Sequence, residues 1–412
     1  MVYNREKILW MGFIMVFLTC FIACEKDDPE KPEVFTVTTF NPVEVPKTNK
    51  TVVYAHYMPW YETPATSDNG KWGIHWTMSN NNPEVIDQDG KRQIASHFYP
   101  LTGPYASNDP DIIEYHLLLM KYCGIDGVLI DWYGSTDYND YGSNRVNSEA
   151  LIKALGKVGM EYAIVYEDRT ISEVIKKDPS MERIEAAQND MIYLEQNYFG
   201  DPNYSYVSNA PLLLVFGPEE FHKPSEWADI MSVFGKQPTF VTLNGKSAES
   251  APHSVGEYIW VDQGSLDNKY STRNRFEVFI GGAYPGFVDY YQEGGWGTGY
   301  FTIDHQYGEV FQQTLQKAKN ANVDYLQLIT WNDYGEGTMI EPTEEFGFTF
   351  LEQVQEYTGV AYSKNELEKI FDLYKLRKQK IKSEEKKYLD QSFYYLVSLQ
   401  YDKAVALIDS LK

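Results

Sequence analysis

Two carboxylates, Asp333 and Glu336, are the clearest candidates for catalytic residues in this 412-residue chain. They follow an apolar run, Val323–Ile329, that predicts a buried strand. In a plain strand, side chains three apart point to opposite faces, so both can act on one substrate only if the chain turns near Asp333. Gly335 and Gly337 permit the backbone angles of such a turn. Two carboxyls facing one sugar-sized gap are the minimum equipment for cleaving a glycosidic bond, whereas spacing alone also fits a solvated acidic turn.

The elements that must position these residues are predicted from hydrophobic periodicity. Apolar, β-branched or aromatic runs alternate with helical patterns, and the runs are continuously apolar, which indicates parallel strands covered by helices on both faces. This order predicts an α/β fold, a (β/α)8 TIM barrel. Amphipathic patterns after Ser363 predict a C-terminal helical extension packed on the barrel. The predicted strands are 51–57, 127–132, 162–166, 212–216, 239–243, 258–261, 278–281 and 325–331.

The first 50 residues predict export and anchoring. Basic residues precede an apolar run, Ile8–Ala23, which is the order of a secretory signal peptide over 1–23. The run is shorter than the roughly 20 residues that a membrane-spanning helix needs. Cys24 directly after it resembles a bacterial lipobox, so Cys24 is the predicted lipidation site and 24–50 a lipid-anchored tether. The expected location is an outer-membrane lipoprotein at the cell surface or facing the periplasm, with the catalytic barrel over 51–362 and the helical tail over 363–412.

Composition narrows the partners. A net charge of −23, from 59 acidic and 36 basic residues, argues against nucleic acid and polyanionic glycans. Aromatic residues make up 15% of the chain and Tyr dominates; its flat face and hydroxyl suit neutral sugars, although many aromatics belong to the core. With Cys20 in the signal and Cys24 lipidated, Cys123 has no partner for a disulfide or a Cys metal site. The expected partner is a neutral polysaccharide or oligosaccharide, bound by a monomer that needs no cofactor and reaches the membrane only through its lipid.

Polar and aromatic side chains follow nearly every predicted strand. In a barrel, chemistry gathers at the carboxyl ends of the strands. Any one of these residues is ordinarily a satisfied loop carboxylate or a wedged aromatic, but packing alone does not require polar groups at so many strand ends. The predicted substrate-binding residues are His56, Tyr57, Trp60, Trp72, His75, Trp76, Asp131, Trp132, Tyr166, Glu167, Asn244, Tyr284, Trp296, Trp331, Asn332 and Glu341.

A metal site was weighed against sugar binding at three of these positions. His56, His75 and Asp131 are the residue types of a facial metal site. No His-x-His or His-Glu-x-x-His spacing supports such a site, so no metal is predicted. A hydrogen bond from His75 to a substrate hydroxyl is the milder alternative.

Several motifs between about Val52 and Glu341 resemble glycoside hydrolase families 71 and 99. They are Tyr-Met-Pro-Trp-Tyr at 57–61, His-Trp at 75–76, the segment 116–126 ahead of a strand, and 331–342. The last begins Trp-Asn-Asp-Tyr-Gly-Glu, as in the α-1,3-glucanases of family 71. It continues Gly-Thr-x-Ile-Glu-Pro, as in the endo-α-mannan-cleaving enzymes of family 99, which carry Glu where this chain has Asp333.

The resemblance implies a glycoside hydrolase that cleaves an α-linkage in a neutral glycan. Family 99 is described as retaining through attack by the sugar's own 2-hydroxyl, assisted by the Glu that Asp333 replaces; inversion is attributed to family 71. Because Asp is one C–C bond shorter than Glu, the carboxylate of Asp333 lies about 1.5 Å farther from the substrate than a Glu carboxylate would. The added space favours a base that activates water. We therefore predict inversion, with Asp333 as general base and Glu336 as general acid. The alternatives are a retaining, family 99-type endo-α-mannan hydrolase and a non-catalytic glycan-binding surface lipoprotein.

Overall fold

A computed structural model describes residues 35–379 and 382–412. Within them, Val37–Lys412 form one compact unit. The predicted signal peptide and the predicted lipidation site Cys24 lie outside the described residues. In the part of the chain that the structure describes, no helix combines the length and apolar character that crossing a bilayer requires.

Parallel strands close into a barrel, as predicted. Around the ring the strands follow the order 52–57, 127–132, 161–166, 210–215, 239–243, 254–258, 278–283 and 325–328, and the last strand pairs with the first. The α/β prediction, a (β/α)8 barrel with a helical extension, is thus confirmed. The apolar runs explain the closure, since strands such as 127–132 are buried along their whole length and need cover on both faces. The strands are β1 (Val52–Tyr57), β2 (Gly127–Trp132), β3 (Glu161–Tyr166), β4 (Tyr206–Val207), β5 (Ala210–Val215), β6 (Thr239–Leu243), β7 (Ser254–Tyr258), β8 (Val278–Ala283), β9 (Phe287–Val288), β10 (Thr302–Ile303) and β11 (Tyr325–Leu328).

Helices surround the barrel and continue past it. The first long helix after the first barrel strand begins at Pro110, where Asp109 caps it by accepting a hydrogen bond from the Asp111 N–H at 2.9 Å. Short 3₁₀ turns lie at Ser247–Ser250, Arg273–Arg275 and Gln306–Gly308. The helices are α1 (Ile74–Thr77), α2 (Pro110–Tyr122), α3 (Tyr141–Val158), α4 (Thr170–Lys177), α5 (Arg183–Asn197), α6 (Pro224–Met231), α7 (Leu266–Ser271), α8 (Tyr291–Gly294), α9 (Glu309–Ala321), α10 (Thr349–Thr358), α11 (Lys364–Lys378), α12 (Ser383–Val397) and α13 (Tyr401–Ser410).

The helical extension packs against the barrel and against the start of the compact unit. Arg377 of α11 donates two hydrogen bonds of 2.9 Å to Glu114 of α2, a bidentate pair that fixes α11 on the barrel. The Val43 N–H donates to the Val397 carbonyl at 2.9 Å. The structure therefore differs from the expected tether of 24–50, because residues 37–50 are held by packing and hydrogen bonds rather than left as a free linker.

Two strand boundaries differ from the predictions. Strand β7 ends at Tyr258, where the predicted strand begins. The prediction missed it because β7 contains a buried carboxylate, which an apolar pattern does not reveal. That carboxylate, Glu257, accepts hydrogen bonds from the Asn244 side chain at 2.9 Å and the Gly245 N–H at 2.7 Å. Strand β11 ends at Leu328, so the residues predicted to complete it already belong to the following loop.

Candidate active site

A cleft of about 610 Å³ opens at the carboxyl ends of the barrel strands. The residues that line it come from the segments after β1, β2, β3, β8 and β11. Asp333 lies in its wall together with Arg169, Tyr291 and Trp296. The cleft therefore lies where the predicted chemistry was expected to gather.

The loop after β11 folds back so that the Asp333 carboxylate contacts the backbone of Glu336. The Asp333 N–H donates to Thr330 Oγ1 at 2.8 Å, and the Glu336 N–H donates to Asp333 Oδ1 at 3.0 Å. Gly337 takes a left-handed φ of 65°, and a Cβ there would lie 2.7 Å from the Val288 carbonyl oxygen. Gly335 does not need a positive φ, contrary to expectation; it leaves room for its neighbours, since a Cβ would lie 3.4 Å from Asp333 Oδ1.

Burial and mutual charge separate the protonation states of the pair. Burial, followed by the charge of Asp333, raises the pKa of Glu336 to about 8. Burial raises the pKa of Asp333 to about 6, opposed by the Glu336 N–H and by the charges of His75 and Arg169. The Tyr291 hydroxyl donates to Glu336 Oε1 at 3.0 Å, whereas Oε2 has no partner among the described residues. At neutral pH Asp333 is mostly ionised and Glu336 mostly protonated.

A second carboxyl pair lies at the ends of β2 and β3. Asp131 and Glu167 are both buried, and each affects the pKa of the other. Burial and then the charge of Glu167 raise the pKa of Asp131 well above its usual range. Arg169 forms an ion pair with Glu167 and lines the cleft. Arg169 was not predicted, although its position two residues past Glu167 at a strand end was a signal that could have identified it.

Aromatic rings form one wall of the cleft, and four of them were among the residues predicted to bind substrate: Trp60, Trp72, His75 and Trp296. The Trp60 ring stacks on His75 with centroids 4.2 Å apart and planes 5° apart. Trp296 meets the same imidazole edge-on at 5.9 Å, and Trp72 also lines the cleft. His75 is held by a 3.1 Å contact between its Nε2 and Asp140 Oδ2, a partner that the sequence did not indicate. The imidazole is thus fixed by a ring on one side and a carboxylate on the other.

Several aromatic residues predicted to bind substrate are instead part of the core. Trp132 follows Asp131 directly in β2, so the two side chains point to opposite faces, and Trp132 stacks on Tyr193 of α5 at 5.9 Å. The Trp76 indole N–H donates to the Tyr105 carbonyl at 2.7 Å. Their apolar surface is spent on packing rather than exposed to a ligand. The aromatic residues that the structure places away from the cleft for this reason are Tyr57, Trp76, Trp132, Tyr166, Tyr284 and Trp331.

Asn332 and Glu341, from the motif at 331–342, hold the loop that carries Asp333 and Glu336 in place. Asn332 accepts the Met58 N–H at 2.8 Å and donates to the Met58 carbonyl at 3.0 Å, which fixes the loop to the end of β1. Glu341 is buried and accepts from the Tyr105 hydroxyl at 2.6 Å; its other oxygen lies 3.0 Å from His116 Nε2. Both residues, predicted to bind substrate, are therefore engaged with the protein itself.

Two further predicted residues are also engaged elsewhere. Asn244 donates to Glu257, as described for β7, and does not line the cleft. His56 is buried with its Nδ1 3.1 Å from Gln327 Oε1, and burial lowers its pKa to about 4, so it is neutral. Within residues 35–379 and 382–412, no group of three or more His, Cys, Asp or Glu side chains could hold a metal ion.

Asn332→Ala is expected to destabilise the protein by about 2–4 kcal/mol, because it leaves the Met58 N–H and carbonyl buried without partners. Urea unfolding followed by circular dichroism measures the loss. Asn268→Ala is the matched control, since Asn268 is exposed on α7 and its loss is expected to change the stability by less than about 0.5 kcal/mol. Equal losses in the two variants would contradict the positioning role of Asn332.

A closed (β/α)8 barrel with a carboxylate in the wall of a cleft at its strand ends, and a second buried carboxyl beside it, has the architecture of a barrel glycoside hydrolase. The model of glycosyl hydrolase family 99 matches residues 48–243. A glycoprotein endo-alpha-1,2-mannosidase-like protein of Danio rerio is 21% identical over 326 residues, covering 70% of each chain. The glycoprotein endo-alpha-1,2-mannosidase of Mus musculus is 22% identical over 326 residues, covering 70% of this chain and 67% of its own.

Solved structures agree on the fold. The GH99 endo-alpha-mannosidase from Bacteroides thetaiotaomicron superposes with a TM-score of 0.58 at 19% identity, over 77% of this chain and 98% of that one. The chain is thus similar in sequence to glycosyl hydrolase family 99 and to endo-alpha-mannosidases, and the protein is a glycoside hydrolase. The family match ends at residue 243, before the loop that carries Asp333 and Glu336, so the case for these two residues depends on the geometry described above.

Proposed function

We propose that this protein hydrolyses an α-mannosidic linkage in a neutral, mannose-type oligosaccharide, with Glu336 as general acid and Asp333 as general base. The observation that carries the proposal is a buried carboxyl, Glu336, beside the cleft-lining carboxyl of Asp333, with opposed protonation and pKa values of about 8 and about 6. The names of the endo-alpha-1,2-mannosidase relatives support mannose as the sugar.

In the proposed reaction, Glu336 supplies a proton and Asp333 accepts one. Glu336 Oε2, which has no partner among the described residues, gives its proton to the glycosidic oxygen as the bond to the anomeric carbon breaks. Asp333 takes a proton from the water that attacks the anomeric carbon from the opposite face, so the product has inverted configuration. The short Asp side chain supports this assignment, because it leaves more room for the water than Glu would.

A retaining mechanism is the second candidate, and the match to family 99 favours it. The family 71-like sequence around Asp333 favours inversion. Proton NMR of the first product formed from an α-linked oligosaccharide distinguishes the two: a β-anomer at early times supports inversion, whereas an α-anomer supports retention and removes the water-activating role of Asp333. Reducing-sugar release from a panel of α-mannans and α-glucans tests the substrate; a wild-type protein that releases nothing contradicts the function.

The pH profile of kcat/KM is expected to be bell-shaped, with limbs near about 6 and about 8. Activity falls below the lower limb as Asp333 gains a proton, and above the upper limb as Glu336 loses its proton. Tyr291→Phe removes a hydrogen bond that stabilises the ionised Glu336, so it is expected to move the upper limb to higher pH and to leave the lower limb in place. A downward shift of the upper limb would contradict the assignment of that limb to Glu336.

A further inference from the structure

One loop beside the cleft presents aromatic rings that the proposed chemistry does not use. We call residues 289–300, between β9 and β10, the aromatic loop. Trp296 is 42% exposed and Tyr300 is 75% exposed. The Tyr291 ring lies nearly parallel to Trp296, at 6.3 Å and 15°, and Tyr300 meets Tyr291 edge-on at 5.8 Å. Tyr291 and Trp296 thus line the cleft, and Tyr300 extends this group of rings through its contact with Tyr291.

The aromatic loop is closed by one carboxylate. Asp289 Oδ1 accepts the Tyr291 N–H at 3.1 Å, and its Oδ2 accepts the Tyr300 N–H at 2.8 Å. Gly299 takes a positive φ of 73°, and a Cβ there would lie 2.8 Å from Asp289 Oδ1. The backbone that carries Tyr300 is therefore fixed although its side chain is exposed, which lowers the entropy lost when a ligand binds to the ring.

The same part of the chain is hydrogen-bonded to the catalytic loop. The Tyr290 N–H donates to the Gly335 carbonyl at 2.8 Å, and the Val288 N–H donates to the Glu336 carbonyl at 2.9 Å. On the other side, the Ser79 N–H donates to the Gly294 carbonyl at 2.8 Å. The backbone that carries the exposed rings is therefore hydrogen-bonded directly to the loop that carries Asp333 and Glu336, as suits a binding subsite for a chain of fixed sugar repeat.

We propose that Tyr300, with Trp296, forms a distal sugar-binding subsite that makes the enzyme prefer longer glycans. The inference rests on the proposed function and extends it. The occupant is a neutral sugar unit of the same substrate chain, because Trp296 lines the cleft, Tyr300 is joined to it through the Tyr291 ring, and a tyrosine pairs an apolar face with a hydroxyl. Tyr307 offers a contrast: it is 95% exposed but contacts no other ring among the described residues.

The test compares kcat/KM for α-mannohexaose and α-mannobiose in the wild type, Tyr300→Ala and Tyr300→Phe. Tyr300→Ala is expected to lower the hexaose-to-biose ratio about fivefold to tenfold, since a sugar loses one ring platform. Tyr300→Phe keeps the ring and is expected to retain most of the ratio. Because Tyr300 is exposed and its N–H is kept in both variants, the clamp by Asp289 survives. Tyr307→Ala is the matched control and is expected to leave the ratio and both activities unchanged.

The outcomes separate this inference from the function on which it rests. An unchanged ratio in Tyr300→Ala, in an enzyme whose wild type cleaves the hexaose, overturns the subsite and leaves the proposed function standing. A ratio that falls equally in Tyr307→Ala also overturns the subsite, because general loss of exposed aromatics would then explain it. A wild type that cleaves neither sugar overturns the proposed function and the subsite with it.

Discussion

Replacing Glu336 with Gln is expected to lower kcat on an α-linked mannooligosaccharide by roughly 10²–10⁴-fold. Gln keeps nearly the same shape and can still accept the hydrogen bond of the Tyr291 hydroxyl, but it carries no proton that the leaving oxygen can take. KM should change little, because the contact that is lost develops only as the bond breaks. Initial rates of reducing-sugar release measure both constants.

A substrate with a good leaving group tests the assigned role. Dinitrophenolate departs without a proton, so an α-mannobioside of dinitrophenol should be turned over by Glu336→Gln with most of the wild-type rate. Glu352→Gln, which changes an exposed carboxylate on α10, is the matched control and should behave as wild type. Equal losses of Glu336→Gln on both substrates would remove Glu336 from the general-acid role, and full activity on the oligosaccharide would remove it from the mechanism.

The fold was predictable because burial on both faces leaves a pattern in the sequence. Strand β2 was predicted with its observed limits, since every residue of it is buried and the run ends at a clear boundary. Strand β7 was misplaced because its Glu257 is satisfied by donors from the preceding loop, which only the folded chain brings together. Periodicity records what is buried, and it does not record which polar groups find partners.

The site was predictable only in part, for a related reason. Trp60 and Trp132 were both predicted to bind substrate because each lies at the end of a predicted strand. Trp60 lines the cleft, whereas Trp132 packs on α5. Alternation within β2 already separates Asp131 from Trp132, so assigning both to one surface conflicts with strand geometry. Asp140 has no motif of its own; its role depends on His75, which lies 65 residues earlier and approaches it only through the fold.

Replacing Asp333 with Asn is expected to lower kcat by roughly 10²–10⁴-fold as well, but with a different dependence on the leaving group. Asn cannot take a proton from the attacking water, so a dinitrophenyl α-mannobioside should not rescue the variant. The substitution also removes the negative charge that raises the pKa of Glu336, so the upper limb of the residual pH profile should move below its wild-type position near 8. Stopped assays across pH 5–9 (roughly the range set by the two carboxyls) measure this shift.

Azide distinguishes a lost base from a damaged site. It is a nucleophile that needs no deprotonation, so it should restore turnover of Asp333→Asn and form a β-mannosyl azide, the inverted product, which NMR identifies. Wild type provides the control, since water activated by Asp333 should compete effectively with azide. Activity that azide does not restore, together with an unmoved upper limb, would contradict the role of Asp333 as base. An α-azide would instead require an intermediate between substrate and product, because two successive displacements restore the starting configuration, and the retaining alternative would then replace inversion.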